Sequence, residues 1–70
     1  MKFDTELFGM KTAHYRRVNK ISLRDAAKEI GISAASLSRI ERGRRPDIDS
    51  FVKIVMWAGW IKNVEQFTKK

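Results

Sequence analysis

Between Ser22 and Gly43 the chain alternates apolar and polar positions with the period of a helix. Leu23, Ala26, Ala27 and Ile30 fall at i, i+3, i+4 and i+7, which makes one side of a short helix apolar. Arg24, Asp25, Lys28 and Glu29 take the other side. Ser22 stands just before the run and can cap it, and Asp25 three positions on gives a loose capping box. Gly31 follows, between two isoleucines, where a sharp turn with positive φ is easiest for glycine. A second short helix opens with Ser33 as its cap. In it Leu37 and Ile40 form the inward pair, while Ala34, Ala35, Ser38, Arg39 and Arg42 project outward. Gly43 is placed to end it.

The flanking segments carry the same period. Residues 3–18 predict a helix that Asp4 or Thr5 can cap, with Glu6 near the positive end of its dipole. Its inward stripe is either Phe8, Thr12 (or Lys11), Tyr15 and Val18, or Phe3, Leu7, Met10 and His14; Gly9 weakens both. Asn19-Lys20 forms a turn. After Gly43, Arg44-Arg45-Pro46-Asp47 reads as a loop, because proline cannot continue a helix. A further helix begins near Ile48 or Asp49, capped by Asp47 or Asp49. Ile48, Phe51, Ile54, Val55 and Ala58 share its apolar face, and Gly59 ends it. Residues 61–68 can form a short fifth helix, with Asn63 as cap, Val64 and Phe67 inward, and Lys69 and Lys70 frayed. The expected architecture is all-α, a compact bundle of four to five short helices forming one domain over residues 1–70.

Composition narrows the chemistry. A chain of 70 residues buries only about 60% of the surface its unfolded form exposes, so it needs tight helix packing or a partner subunit. There is no cysteine and one histidine, His14, which leaves no thiolate site and no metal centre built on histidines. No apolar run approaches the roughly 20 residues of a membrane span. The N-terminal MKFDTELFGM carries acids and no signal-peptide pattern. These features predict a cytoplasmic protein with no membrane contact and no cofactor. The net charge is +7, and residues 1–45 hold 11 Lys/Arg against 5 Asp/Glu. The positive field therefore lies on the half that contains residues 22–43, and such a field draws in polyanions.

Two helices joined by a short turn containing Gly form a helix-turn-helix, here over about 22–43. This one resembles the Cro/repressor-type (XRE-like) family of prokaryotic and phage transcriptional regulators. The resemblance rests on Ser22-Leu23-Arg24, Ala27, Gly31-Ile32-Ser33, the run from Leu37 to Gly43, and Arg45-Pro46. It implies a lambda-repressor-like DNA-binding domain whose second motif helix, about 34–42, enters the major groove of double-stranded DNA. The base-facing positions it implies are Ser33, Ala34, Ala35, Ser36, Ser38 and Arg39. Arg39 can donate two hydrogen bonds to O6 and N7 of a guanine. The phosphate-contacting set is Arg24, Lys28, Arg42, Arg44 and Arg45, helped by the N–H groups that open the first motif helix. Family members commonly pair an Arg near the end of their first helix with a Glu near the end of the recognition helix. Arg16 and Glu41 stand at those positions, and Glu41 lies on the Leu37/Ile40 side, where a charge needs a partner.

The chain also departs from the pattern. Alanine stands at 34 and 35, where phage repressors commonly carry hydrogen-bonding side chains, so base readout is concentrated in fewer residues. Met56 and Trp57 stand where polar or small residues are usual, and Ala58 where a large aliphatic is. Met56, Trp57, Trp60 and Phe67 are therefore candidates for a homodimer contact within residues 56–68, alone or with the 44–48 loop. The expectation is a regulator, in the first place a repressor, binding a roughly palindromic operator as a homodimer. The alternative is a DNA-binding antitoxin or accessory regulator whose Trp/Met surface meets a separate protein partner. No arrangement suited to catalysis is legible, since His14 has no evident Ser or carboxylate companion at helical spacing and no Gly-rich phosphate loop occurs.

Overall fold

A computed structural model describes residues 2–69. Its helices are α1 (Thr5–Val18), α2 (Leu23–Ile30), α3 (Ala34–Glu41) and α4 (Ile48–Ala58), followed by a 3-10 helix over Ile61–Phe67. Each α-helix begins where a short polar side chain accepts the backbone N–H three residues on. Asp4 caps α1 through Leu7, Ser22 caps α2 through Asp25, Ser33 caps α3 through Ser36, and Asp47 caps α4 through Ser50. Such caps satisfy N–H groups that have no partner inside the helix. The α2 helix stops at Gly31 and α4 at Gly59, both left-handed, with φ of 94° and 76°. Gly43, one residue past the α3 cap, has φ of 98°. No helix among the described residues is long and apolar enough to cross a membrane.

Phe8, Ala26, Leu37, Ile54 and Phe67 are wholly buried, and Ala27, Ile30, Ile40 and Val55 complete the core. Every helix contributes to it. The lower end is aromatic: Phe8 stands edge-on to Phe67 at 4.9 Å, Trp60 lies 5.3 Å from Phe67, and Phe3 meets Phe51 at 5.2 Å. These rings bring the two chain ends together. Lys2–Phe3 (β1) pairs antiparallel with Thr68–Lys69 (β2), and the Asp4 N–H donates to the Phe67 carbonyl.

Several expectations need correction. Asp4 is the cap, with extended backbone, so Phe3 precedes the helix as a strand residue rather than opening it. Lys69 is not frayed but lies in β2, held by its pairing with Lys2. The segment after Gly59 winds as a 3-10 helix without a side-chain cap; the side chains of Asn63 and Val64 and residue Lys70 lie outside the described residues. Along residues 3–18, Phe8 and Thr12 are buried and Phe3 and Leu7 pack beside the core, whereas Met10, His14 and Val18 face solvent. The inward face thus takes parts of both predicted stripes and centres on Phe8, Gly9, Thr12 and Ala13. On α4, Ile48 is 80% exposed rather than inward. At 100° per residue it shares a face with buried Val55, about 20° away, so its exposure comes from its place as the first residue of α4, a helix end that the core does not reach.

Candidate nucleic-acid interface

The presentation of α3 depends on how α1 crosses it. Gly9 lies so close to the end of α3 that a Cβ built there would sit 2.2 Å from the Ile40 carbonyl oxygen. Only glycine allows this approach. One turn further along α1, the Thr12 hydroxyl donates to the Phe8 carbonyl at 2.7 Å, so it stays satisfied while fully buried. Another turn on, Arg16 reaches Glu41 with two hydrogen bonds, Nε to Oε2 at 2.8 Å and Nη2 to Oε1 at 2.9 Å. Its Nη1 donates to the Ile21 carbonyl at 3.1 Å, tying the α1–α2 turn into the same joint. The two side chains are only 14% and 10% exposed. The hydrogen bond to Glu41 raises the Arg16 pKa above its already high value, so the guanidinium stays charged at any working pH.

The other end of the motif is held by α4. Lys53 Nζ donates to the Gly31 carbonyl at 3.3 Å, and the Trp57 indole N–H donates to Glu29 at 3.0 Å. Tyr15 stands edge-on to Trp57 at 4.9 Å. Both motif helices are therefore clamped from behind, α2 by α4 and the last turn of α3 by α1.

What remains outward on α3 is a short polar and basic surface. Leu37 and Ile40 point into the core, Ala35 and Arg39 are exposed, and Ser36 and Ser38 are half-exposed. Arg39, Arg42, Gly43 and Arg44 line a groove of about 380 Å³. A second groove, of about 290 Å³, runs from Ser36 and Arg39 past Arg44, Arg45 and Pro46 to Asp47 and Ser50. Arg39 thus lies between two grooves that together gather four arginines. Arg24 and Lys28 are exposed on α2 but line neither of these grooves.

The acid in the second groove, Asp47, is already engaged. Its Oδ1 accepts the Ser50 N–H at 2.9 Å. Hydrogen bonding to Ser50, from its hydroxyl and then its N–H, holds the Asp47 pKa below the ordinary carboxylate value. Of the two cap candidates legible in the sequence, Asp47 and Asp49, the helix uses Asp47, and nothing in the sequence sets Asp47, Pro46 and Ser50 beside the arginines. The Asp-x-x-Ser spacing was the available signal for the cap, and nothing local signalled the groove.

Some predicted site residues have other employment. The Ser33 hydroxyl accepts the Ser36 N–H and donates to the Ser36 hydroxyl at 2.9 Å, so it serves the helix end. Ala34 is half-buried and packs against the core. Of the predicted outer surface at 56–68, Phe67 is wholly buried beneath Phe8 and cannot form an interface. Trp60 is half-buried and packs against Phe8 and Phe67, and Trp57 is half-buried under the contacts above. Met56 alone of the four stands 65% exposed. Among the described residues no group of three or more His, Cys, Asp or Glu is placed to hold a metal ion.

Comparison with known proteins bears on the same segment. Residues 14–55 match a family model described as helix-turn-helix, a span that starts in α1 and ends within α4. No curated protein sequence matches the chain.

Proposed function

This chain belongs to the Cro/repressor-type helix-turn-helix family of DNA-binding transcription regulators, and from that premise we propose that it binds a roughly palindromic operator as a homodimer and represses transcription there. In this reading α3 lies in the major groove with its N-terminal half toward the base edges. Arg39 reads a guanine through O6 and N7, and Ala35, Ser36 and Ser38 line the rest of the contact. Arg42, Arg44 and Arg45 grip phosphates on either side, with Arg24 and Lys28 contributing from α2. One observation carries the proposal: Arg39 stands exposed between two arginine-lined grooves, on a helix whose opposite face is locked into the core.

Two alanines in the first turn leave few hydrogen-bonding groups to tell bases apart. Part of the selectivity then falls to the deformability of base pairs the protein does not touch. One domain this small makes few contacts, and two copies on half-sites about 34–36 Å apart double them.

The test is a selection of bound sites from random duplex DNA at fixed salt, with the natural chain and with Arg39→Ala. The expected site is a two-fold repeat with a guanine at one position of each half. Arg39→Ala should relax that guanine by about 1–3 kcal/mol and leave other positions in place. Arg44→Ala should weaken binding evenly across sequences and flatten the log–log salt slope by nearly one. An unchanged base preference in Arg39→Ala would refute the assignment of readout to that side chain.

A further inference from the structure

The face of α1 that meets α3 and the face that looks away from it carry different chemistry. Gly9 marks the first. At about 100° per residue, Lys11, His14 and Val18 fall about 140–200° around the helix from it. There, with Tyr15 and with Trp60 and Gln66 from the segment after α4, they line a hollow of about 290 Å³. None of these six residues lines the arginine grooves beside α3.

The body of the hollow is aromatic and its walls are fixed. The Tyr15 and Trp60 rings stand 6.0 Å apart at 73°. Phe8 and Phe67 hold Trp60 from behind at 6.1 and 5.3 Å, and Trp57 holds Tyr15 at 4.9 Å. Val18, 63% exposed, adds an aliphatic edge. The volume lies near the lower end of small-molecule sites, about 300–1,000 Å³. A helix about 10 Å across is too wide for it, whereas one flat ring system is not. The polar groups are cationic or donors. Lys11 donates to the Gln66 side-chain oxygen and lies 5.9 Å from the Phe67 ring centre; among the described residues no carboxylate pairs with it. Among the same residues neither the Tyr15 hydroxyl nor the Trp60 indole N–H has a hydrogen-bond partner, although such groups usually find one when buried. His14, three positions from Lys11 and exposed, presents a further ring N–H. No acid lines the hollow.

We propose that this hollow is a binding site for a small aromatic carboxylate. The ring of the ligand lies against Tyr15 and Trp60, and its carboxylate meets the Lys11 ammonium with His14 beside it. Exchanging the neutral Gln66 oxygen for a carboxylate gives Lys11 a charge-assisted hydrogen bond, which is the stronger kind. The aromatic walls supply the apolar contact that orients the ring. A ligand of about a dozen non-hydrogen atoms binds such a site at about millimolar or tighter. The site is additional to the DNA reading and does not depend on it.

An NMR titration of the full chain, labelled on nitrogen, reads binding at the Trp60 indole and at the amides of Lys11, His14 and Val18. The probes are indoleacetate and phenylpropionate. Tryptamine carries the indole ring with the opposite charge, and acetate carries the charge without a ring. At least one aromatic acid should shift these signals saturably below about 10 mM, with tryptamine about tenfold weaker or more and acetate without effect. Lys11→Gln should weaken the aromatic acid about fivefold or more. Val18→Asp, which sets a like charge at an exposed edge, should weaken it too, and both variants should keep the natural melting temperature. Absence of saturable shifts at Trp60 with both acids overturns the proposal. So does equal binding of tryptamine, or an affinity unchanged in both variants. The DNA reading fails separately, through absence of duplex binding by the natural chain, and that result leaves the hollow's assignment standing.

Discussion

Replacing Gly9 with Ala tests the joint that orients α3. In an exposed helix interior this change would stabilise by about 1 kcal/mol. Here the new Cβ would sit 2.2 Å from the Ile40 carbonyl oxygen and 3.1 Å from that of Glu41. Carbon–oxygen contacts settle near 3.3–3.6 Å, so α1 has to withdraw by about 1 Å. The obstacle cannot swing aside, because it is backbone: the Ile40 carbonyl already accepts the Gly43 N–H at 3.0 Å. Forcing extra volume into a packed site costs about 1–3 kcal/mol. Withdrawal would also stretch the two Arg16–Glu41 hydrogen bonds one to two turns away. Overpacking and stretching outweigh the propensity gain, and we expect a net loss of about 1–3 kcal/mol. In a domain of this size that lowers the melting temperature by about 5–20 °C. Thermal unfolding followed by circular dichroism reads it directly. Gly59→Ala is the control: nothing lies within 4 Å of its Cβ, and only the left-handed backbone penalty of about 1–2 kcal/mol applies. A Gly9→Ala protein melting at or above the natural chain would refute the close crossing of α1 and α3.

Other measurements follow from the same geometry. In a double-mutant cycle of Arg16→Ala and Glu41→Ala, the double variant should lose less stability than the two singles summed, by about 1–3 kcal/mol; additive losses would mean that the pair contributes nothing. The raised Arg16 pKa adds no pH dependence in the working range, since stability from a raised pKa is complete below the unfolded value and lost only above the folded one. Asp47 behaves oppositely. Its folded pKa lies below 3.8, so its contribution is present above that value and is lost as pH falls through the folded pKa. The melting difference between the natural chain and Asp47→Ala should therefore hold constant near neutrality and shrink under acid. A difference that grew on acidification would contradict the cap.

The parts of this fold legible in the sequence are those written in local spacing. Ser22, Ser33 and Asp47 each lie three residues before the N–H they accept. Gly31, Gly43 and Gly59 sit where the helical period breaks. Nothing near Gly9 announces its role, because the atom it accommodates belongs to Ile40, thirty-one positions on in the chain. Trp57 looked like a surface residue for the same reason: its indole partner, Glu29, is on another helix. Ile48 keeps the apolar spacing of α4 but is its first residue, beyond the end of the core, and spacing alone does not show where the core stops. The end strands are two residues long and carry no pattern; they exist because Phe3 and Phe67 bring the termini together. In the candidate site, the outward positions Ala35 and Arg39 followed from the inward pair Leu37 and Ile40. Their neighbours in the second groove come from the start of α4 and required the fold.

The two jobs of α3 are divided between its faces and between its ends. Most of what fixes the helix acts on Leu37, Ile40 and Glu41 or on the turn after them: the Gly9 crossing, the Arg16 fork and the buried contacts of the core. The first turn is held by the cap between Ser33 and Ser36 and by Ala34 against the core. Ala35 and Arg39 have no part in that support. Changes at these two positions should therefore alter which bases are preferred with little change in melting temperature. Changes at Gly9, Arg16 or Glu41 act the other way, lowering stability and, because they reset the angle of the whole helix, weakening every operator together. A scaffold arranged in this way permits new specificities by exchange of a few exposed side chains. On the proposed function the sequence-independent grip is assigned to the arginines at 42, 44 and 45, which such exchanges leave in place, so affinity for bulk DNA should persist when specificity is rewritten.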